Sequence, residues 1–210
     1  MRRRVLDLPL ALALLSSACA RQVLSTTPVP ARVRGALPSG AARGVVATLA
    51  PMSSSETVNY IVGRGLLVPV AGVGVSQLSD TFDEGRDGGR VHRALDILAP
   101  RGTPVIAADD GKLLRIRPNN LGGNAIYATD PQGRVVYYYA HLDAYQPGLV
   151  EGATIARGDV LGIVGTTGNA PKDTPHLHFQ VMQMPSDGKY WDGEAINPYP
   201  LFLLLHAARP

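Results

Sequence analysis

From Leu66 onward the chain is cut into short apolar runs by Gly, Pro, Asn and Asp. That rhythm limits the fold more than any other feature. The runs are LLVPVAGV, ALDILAP, TPVIAAD, GKLLRIR, NAIYATD, RVVYYYAHL, ATIARGD, VLGIVG and HLHFQVM. Segments of about 5–8 residues bounded by turn residues pair as antiparallel strands. No helical period longer than two turns stands out. The expectation is therefore an all-β domain over residues 66–205. The 23 glycines and 17 prolines agree with a turn-rich fold. The tail YWDGEAINPYPLFLLL reads as a closing segment over one end of the sheet, since LFLLL is far too short to cross a bilayer.

The first twenty residues, MRRRVLDLPLALALLSSACA, have a basic start, an apolar run from Leu8 to Leu15 and then small residues. This is the pattern of a secretory signal, expected over residues 1–19. The only cysteine, Cys19, lies at the cleavage region and allows two readings. LSSAC resembles a bacterial lipobox, with Cys19 as the lipidated N-terminus and Ser16 in place of the usual aliphatic residue. Alternatively, Ala18-Cys19-Ala20 is an A-x-A site cut after Ala20. Both export the chain, and neither permits an intramolecular disulfide. Three arginines of the leader carry much of the formal net charge of +3, so the charge is no signal for nucleic acid. Residues 20–65, rich in Ala, Pro, Ser and Thr, read as a largely disordered linker with one ordered piece around Val58–Val62.

Histidine is scarce, with five in the chain, and four fall in or beside the expected strands. His92 and Asp96 are four residues apart in VHRALDIL, so on an extended strand both point to one face. His176 and His178 share a face in PHLHF, with Leu177 and Phe179 turned into apolar packing. His141 ends YYYAHL with the parity of Tyr137 and Tyr139. Three segments thus aim imidazoles and a carboxylate at a common face. Two neutral imidazoles and one carboxylate make a three-ligand zinc set that leaves the fourth position to water. A hydrolase also needs groups off the metal to take the proton and to stabilise the oxyanion. His206 joins no constellation and is expected at the surface.

HRALD (92–96), GTPVIAADDGKL (102–113), YYYAHL (137–142) and EGATIARGDVLGIVGTTGNAPKDTPHLHFQV (151–181) together resemble the lysostaphin-type, LytM-like zinc metalloendopeptidases of bacterial peptidoglycan. The resemblance implies a two-layer antiparallel β-sheet or sandwich of the duplicated hybrid motif type, with a groove floored by the sheet. Carried over by motif, His92, Asp96 and His178 would bind one zinc ion per chain. His141 and His176 would be catalytic, one as general base toward water and the other hydrogen-bonded to the oxyanion. The implied substrate is an amide bond in the peptide stems or cross-links of peptidoglycan. The protein would be a monomer in the periplasm or at the outer membrane, touching membrane only through lipid on Cys19. A non-catalytic envelope protein that binds peptidoglycan, or activates a partner cell-wall amidase, is the alternative.

Two departures from the family pattern bear on the site. Ala94 stands where relatives have Gly in H-x-G-x-D, and a positive φ there would be costly. Gln180 replaces the glutamate of HLHFE, where it is expected to steady a histidine ring. Arg86 or Arg90, in the loop TFDEGRDGGR (81–90), is expected to meet a substrate carboxylate, and Tyr139 to line the groove. The loop TTGNAPKDTP (166–175) is expected to form a groove wall, with Gly168 and Asn169 supplying turn geometry.

Overall fold

The structure is a computed structural model and describes residues 52–208. The leader, Cys19 and the expected linker up to residue 51 lie outside the described residues. In chain order the elements are α1 (Ser54–Arg64), β1 (Gly85–Arg86), β2 (Arg90–Val91), β3 (Leu95–Leu98), β4 (Pro104–Ile106), β5 (Gly111–Asn119) and β6 (Gly123–Thr129). They continue with β7 (Val135–Tyr145), β8 (Thr154–Ile155), β9 (Val160–Val164), β10 (His176–Gln183), β11 (Ala195–Ile196) and α2 (Pro198–Ala207).

Among the described residues, β1 and β2 form a separate hairpin and the other nine strands make one antiparallel sheet. Its main path runs β11-β10-β7-β6-β5-β8. Strand β7 organises the rest. Its first half pairs with β10, and from Leu142 its second half pairs with β9, which in turn carries β4. Side chains from both parts, including Val105, Leu113, Tyr139, Leu161, Leu177 and Phe179, meet in one core. The fold is mostly β and antiparallel, as the run-and-turn rhythm requires.

The period of two is clearest on β10. Leu177, Phe179 and Val181 are fully buried in the core, while His176, His178 and Gln180 face the other way. Tyr137 and Tyr139 on β7 join the same core, and the Tyr139 hydroxyl accepts a hydrogen bond from the Ala108 amide at 3.0 Å. Tyr139 is therefore not a groove residue. Tyr138, one position along, takes that place. The expectation failed because it tied Tyr139 to His141 by parity, and that parity is broken. His141 has φ 62°, a left-handed value rare for a residue with a side chain, and the pairing of β7 shifts register around it. The irregularity turns the His141 ring out of the core and onto the groove face.

Two helices depart from the all-strand expectation. Ser54–Arg64 lies inside the stretch read as linker and contains the ordered piece expected around Val58–Val62, now a helix longer than that piece with Thr57 and Ile61 fully buried. A capping box starts α1: the Ser53 side chain accepts from the Glu56 amide, and the Glu56 carboxylate accepts from the Ser53 amide at 2.8 Å. Gly65 ends the helix in the left-handed region. The helix is then clamped to the sheet through Asp109. That carboxylate pairs with Arg64 and with Arg157 at 2.9 Å, and accepts the Tyr137 hydroxyl at 2.9 Å. At the other end of the chain, Asn197 caps α2 ahead of Pro198. Leu201 and Phe202 of α2 pack into the core, with Phe202 stacked near Phe179. None of the helices among the described residues is long and apolar enough to cross a membrane.

Candidate metal centre

Four of the five histidines come together on the groove face, with Asp96 among them. His178 and Asp96 are direct cross-strand partners on β10 and β3, which sets them on one face. His92 arrives differently from the expectation. It is not on the strand that carries Asp96 but in the link between β2 and β3, where Arg93 adopts φ 56°. That turn brings the His92 ring back over Asp96. The costly backbone value thus falls on Arg93 and not on Ala94, which is fully buried and needs only its small volume. The Gln180 side-chain amide donates to the Arg93 carbonyl at 3.1 Å. Gln180 therefore pins this turn instead of steadying a histidine ring.

Three ligand-type atoms converge. His92 Nε2 lies 2.9 Å from His178 Nδ1 and 3.0 Å from Asp96 Oδ1, and His178 Nδ1 lies 3.1 Å from Asp96 Oδ1. The His92 ring is oriented by its other nitrogen, since Nδ1 sits 2.8 Å from the Thr81 carbonyl, which can only accept. Nδ1 must donate, so Nε2 presents its lone pair to the cluster. A neutral imidazole nitrogen and a carboxylate oxygen 3.0 Å apart are two acceptors in contact, and a cation relieves that repulsion. With metal–ligand distances of about 2.0–2.1 Å, tetrahedral ligand atoms stand roughly 3.3 Å apart. The three spacings here fall within a few tenths of that value. The donor set fits zinc in both type and spacing, and the three residues can hold a metal ion.

Charge at the cluster follows the same logic. Burial works against the Asp96 carboxylate, but positive charge directed at it from the His178 and His92 side, as a shared proton or a bound cation, outweighs burial and holds the group well below the usual carboxylate range. The second oxygen of Asp96 accepts from Arg86 at 2.6 Å. Arg86 also lies 3.5 Å from Glu84. Its guanidinium is thus engaged within the protein and does not stand ready for a substrate carboxylate. Burial lowers the His178 imidazole, against the opposing pull of the Asp96 carboxylate beside it.

The other two histidines flank the cluster. The His141 and His176 rings are 5.0 Å apart, and His176 Nε2 lies 3.8 Å from Asp96 Oδ1. Each gives its Nδ1 to a backbone carbonyl, His141 to Thr167 at 2.9 Å and His176 to Thr174 at 2.8 Å. Both carbonyls belong to the loop between β9 and β10. That loop is anchored where Gly168 meets Gly123. A Cβ built on Gly168 would fall 2.3 Å from the Gly123 nitrogen, so only glycine permits the approach. The Asn169 amide adds a bond to the Leu121 carbonyl at 3.0 Å. Asn169 also lines the groove, as the wall reading expected. Burial, reinforced by His178, brings the His141 imidazole down to about 4 from its ordinary 6.5.

The groove over these residues encloses about 950 Å³, room for a peptide segment and far more than an ion needs. Its lining includes Arg86, Arg90 and Val91 of the β1–β2 hairpin region and Asn119, Leu121, Tyr127 and Tyr138 of the main sheet and its turns. His206 sits near the exposed end of α2, apart from the groove, as expected. Asn119, Tyr127 and Tyr138 are groove residues that sequence reasoning missed. Only the alternation along β7, counted back from the buried tyrosines, could have exposed Tyr138.

Residues 90–198, just over half of the chain, match Peptidase family M23. The chain belongs to peptidase family M23. The DD-carboxypeptidase/endopeptidase Mpg of Neisseria meningitidis serogroup B is 34% identical over 114 residues, 54% of this chain and 23% of that protein. The L-Ala--D-Glu endopeptidase of Bacillus subtilis is 32% identical over 121 residues, 55% of this chain and 36% of that protein. The chain thus aligns with only 23–36% of the length of these relatives. Among solved structures, lysostaphin, the antimicrobial peptidase of Staphylococcus simulans, superposes with a TM-score of 0.50. It is 26% identical, over 65% of this chain and 53% of that one. The lysostaphin-type resemblance read from HRALD, YYYAHL and HLHF therefore holds.

Proposed function

We propose that this chain is an exported zinc metalloendopeptidase that hydrolyses amide bonds in the peptide stems or cross-links of bacterial peptidoglycan. The observation that carries the reading is the meeting of His92, Asp96 and His178 with two further histidines whose Nδ1 atoms are tied to carbonyls. The relatives' names supply the substrate class.

His92, Asp96 and His178 would hold the ion. Bound there, zinc supplies the Lewis acidity that acidifies a water molecule and polarises the scissile carbonyl. Thr81 and Arg86 keep His92 and Asp96 aimed by holding their outward atoms. With Nδ1–H committed to carbonyls, His141 and His176 each work through Nε2. An Nε2 without its proton can accept one, but only a protonated Nε2 can donate to an oxyanion. Burial keeps His141 neutral, which assigns it to taking the proton from the attacking water. His176 is left to face the developing oxyanion through its Nε2. The amine leaving group recovers a proton from His141, and the pair returns to its starting state.

Export, with cleavage near Cys19, belongs to this reading and rests on the leader alone. The matching domain assignment is signal over 1–19, linker after it and a catalytic domain reaching residue 205, with α1 now joined to that domain. Purified sacculi incubated with the zinc-loaded full chain test the reading. Release of peptide-linked fragments that stops with chelator and returns with zinc is expected. Intact sacculi in all arms, or a His141→Ala chain that digests as fast as wild type, would sink it.

A further inference from the structure

We propose that Arg90 forms a carboxylate-binding subsite on the groove wall, so that the enzyme selects stem peptides with a free carboxylate beside the scissile amide. The inference rests on the peptidoglycan reading above and adds a substrate preference to it.

The evidence is the hairpin β1–β2. Arg86 and Arg90 are direct cross-strand partners, which puts both side chains on one face, and both line the groove. Two like charges placed opposite each other are destabilising unless anions compensate them. Arg86 has its compensation from Asp96 and Glu84. Arg93, the third arginine of the groove, pairs with Asp83 at 3.0 Å and lies over the Phe82 ring. Arg90 has no carboxylate partner among the described residues. Asp87 lines the same groove without forming an ion pair with it, and offers only its carbonyl, 3.2 Å from Arg90 Nε.

That single bond matters for what Arg90 can do. It fixes the inner edge of the guanidinium and leaves both terminal nitrogens for a second acceptor group. A guanidinium with both terminal nitrogens free can match a carboxylate with two parallel hydrogen bonds. The paired glycines of the hairpin tip, Gly88 and Gly89 at φ 74° and 73°, make the tight reversal that brings Arg90 back opposite Arg86. Stem peptides that retain free carboxylates supply the missing anion, and a neutral peptide does not.

The test uses a synthetic stem tetrapeptide with free carboxylates and the same peptide with those groups amidated. Binding to the zinc-loaded full chain is measured by calorimetry, and hydrolysis by product mass. In wild type, amidation should weaken binding by about tenfold or more, the scale of a charge-assisted bidentate pair. Arg90→Gln should reduce that difference to less than about twofold, and Arg90→Lys should restore part of it because it keeps the charge but not the fork. Arg90 is exposed, so neither variant threatens folding. Equal binding of both peptides by wild type overturns the proposal. So does a preference that survives in Arg90→Gln, since the metal or another cation would then read the carboxylate. Discrimination in binding without hydrolysis of either peptide would uphold the subsite, and would defeat the peptidase reading if purified sacculi also stay intact. Hydrolysis without discrimination would do the reverse.

Discussion

Replacing Asp109 with alanine tests whether α1 is an integral part of the domain. The carboxylate is almost wholly inaccessible at 1% exposure. It holds Arg64 of α1, Arg157 of the β8–β9 turn and the hydroxyl of Tyr137. Removing one partner of a buried ion pair costs about 3–5 kcal/mol in general. Here both arginines keep a solvent-facing side, at 16% and 29% side-chain exposure, so they regain water and pull the figure down. Tyr137, at 1% exposure, cannot, and its orphaned hydroxyl costs about 1–3 kcal/mol. The expected loss is about 3 kcal/mol. With an m-value of about 2 kcal/mol/M, the urea midpoint should fall by roughly 1.5 M. Asp109→Asn still accepts from Tyr137 and should lose less than half as much. Zinc binding per folded molecule should be unchanged, because Asp109 lies on the core side of the sheet and the histidines on the groove side. A loss below about 1 kcal/mol, or α1 remaining equally protected from hydrogen exchange in the alanine variant, would refute the reasoning.

Other outcomes follow from the same geometry. Tyr139→Phe should cost about 1–3 kcal/mol by orphaning the Ala108 amide, yet leave hydrolysis intact; an activity loss without a stability loss would return Tyr139 to the groove. His141→Ala should lower turnover by about 10²–10⁴ while zinc stoichiometry stays at one, and loss of zinc would mean that His141 is a ligand. The metal-free protein should be acid-sensitive. The folded His141 pKa of about 4 lies below the ordinary 6.5, so the unfolded chain binds more protons between them, and stability should fall as pH drops through that window. Melting temperatures that stay flat from pH 6.5 to 4 would contradict this.

The strands were legible because their side chains obey a simple period. The core and groove faces of HLHFQV could be separated by counting twos, and the pairing of His178 with Asp96 bears that out. His141 was beyond such counting. One left-handed backbone value at a residue with a side chain reverses parity, and composition carries no trace of it. His92 reached its place by the turn at Arg93, so the shared face was foreseen for a reason that does not operate. The helices escape the reading for different causes, although the ordered piece expected around Val58–Val62 does fall inside α1. Ser53-Ser54-Ser55-Glu56 contains a capping box, but the serine run around it reads as linker. In PYPLFLLL nearly every position is apolar, so no amphipathic period marks α2, although Asn197-Pro198 signals its start. The sequence offers Arg86 as a contact for a substrate carboxylate, but its partner is Asp96, ten residues away and internal to the site, which only the fold reveals.

Digestion of purified sacculi by the zinc-loaded full chain, with products identified by mass, tests the central claim most directly. The account predicts stem fragments cut at one type of amide bond, their release abolished by chelator, restored by zinc and lost in the Asp96→Asn chain. Products that form equally with chelator present, or with Asp96 replaced, would contradict it.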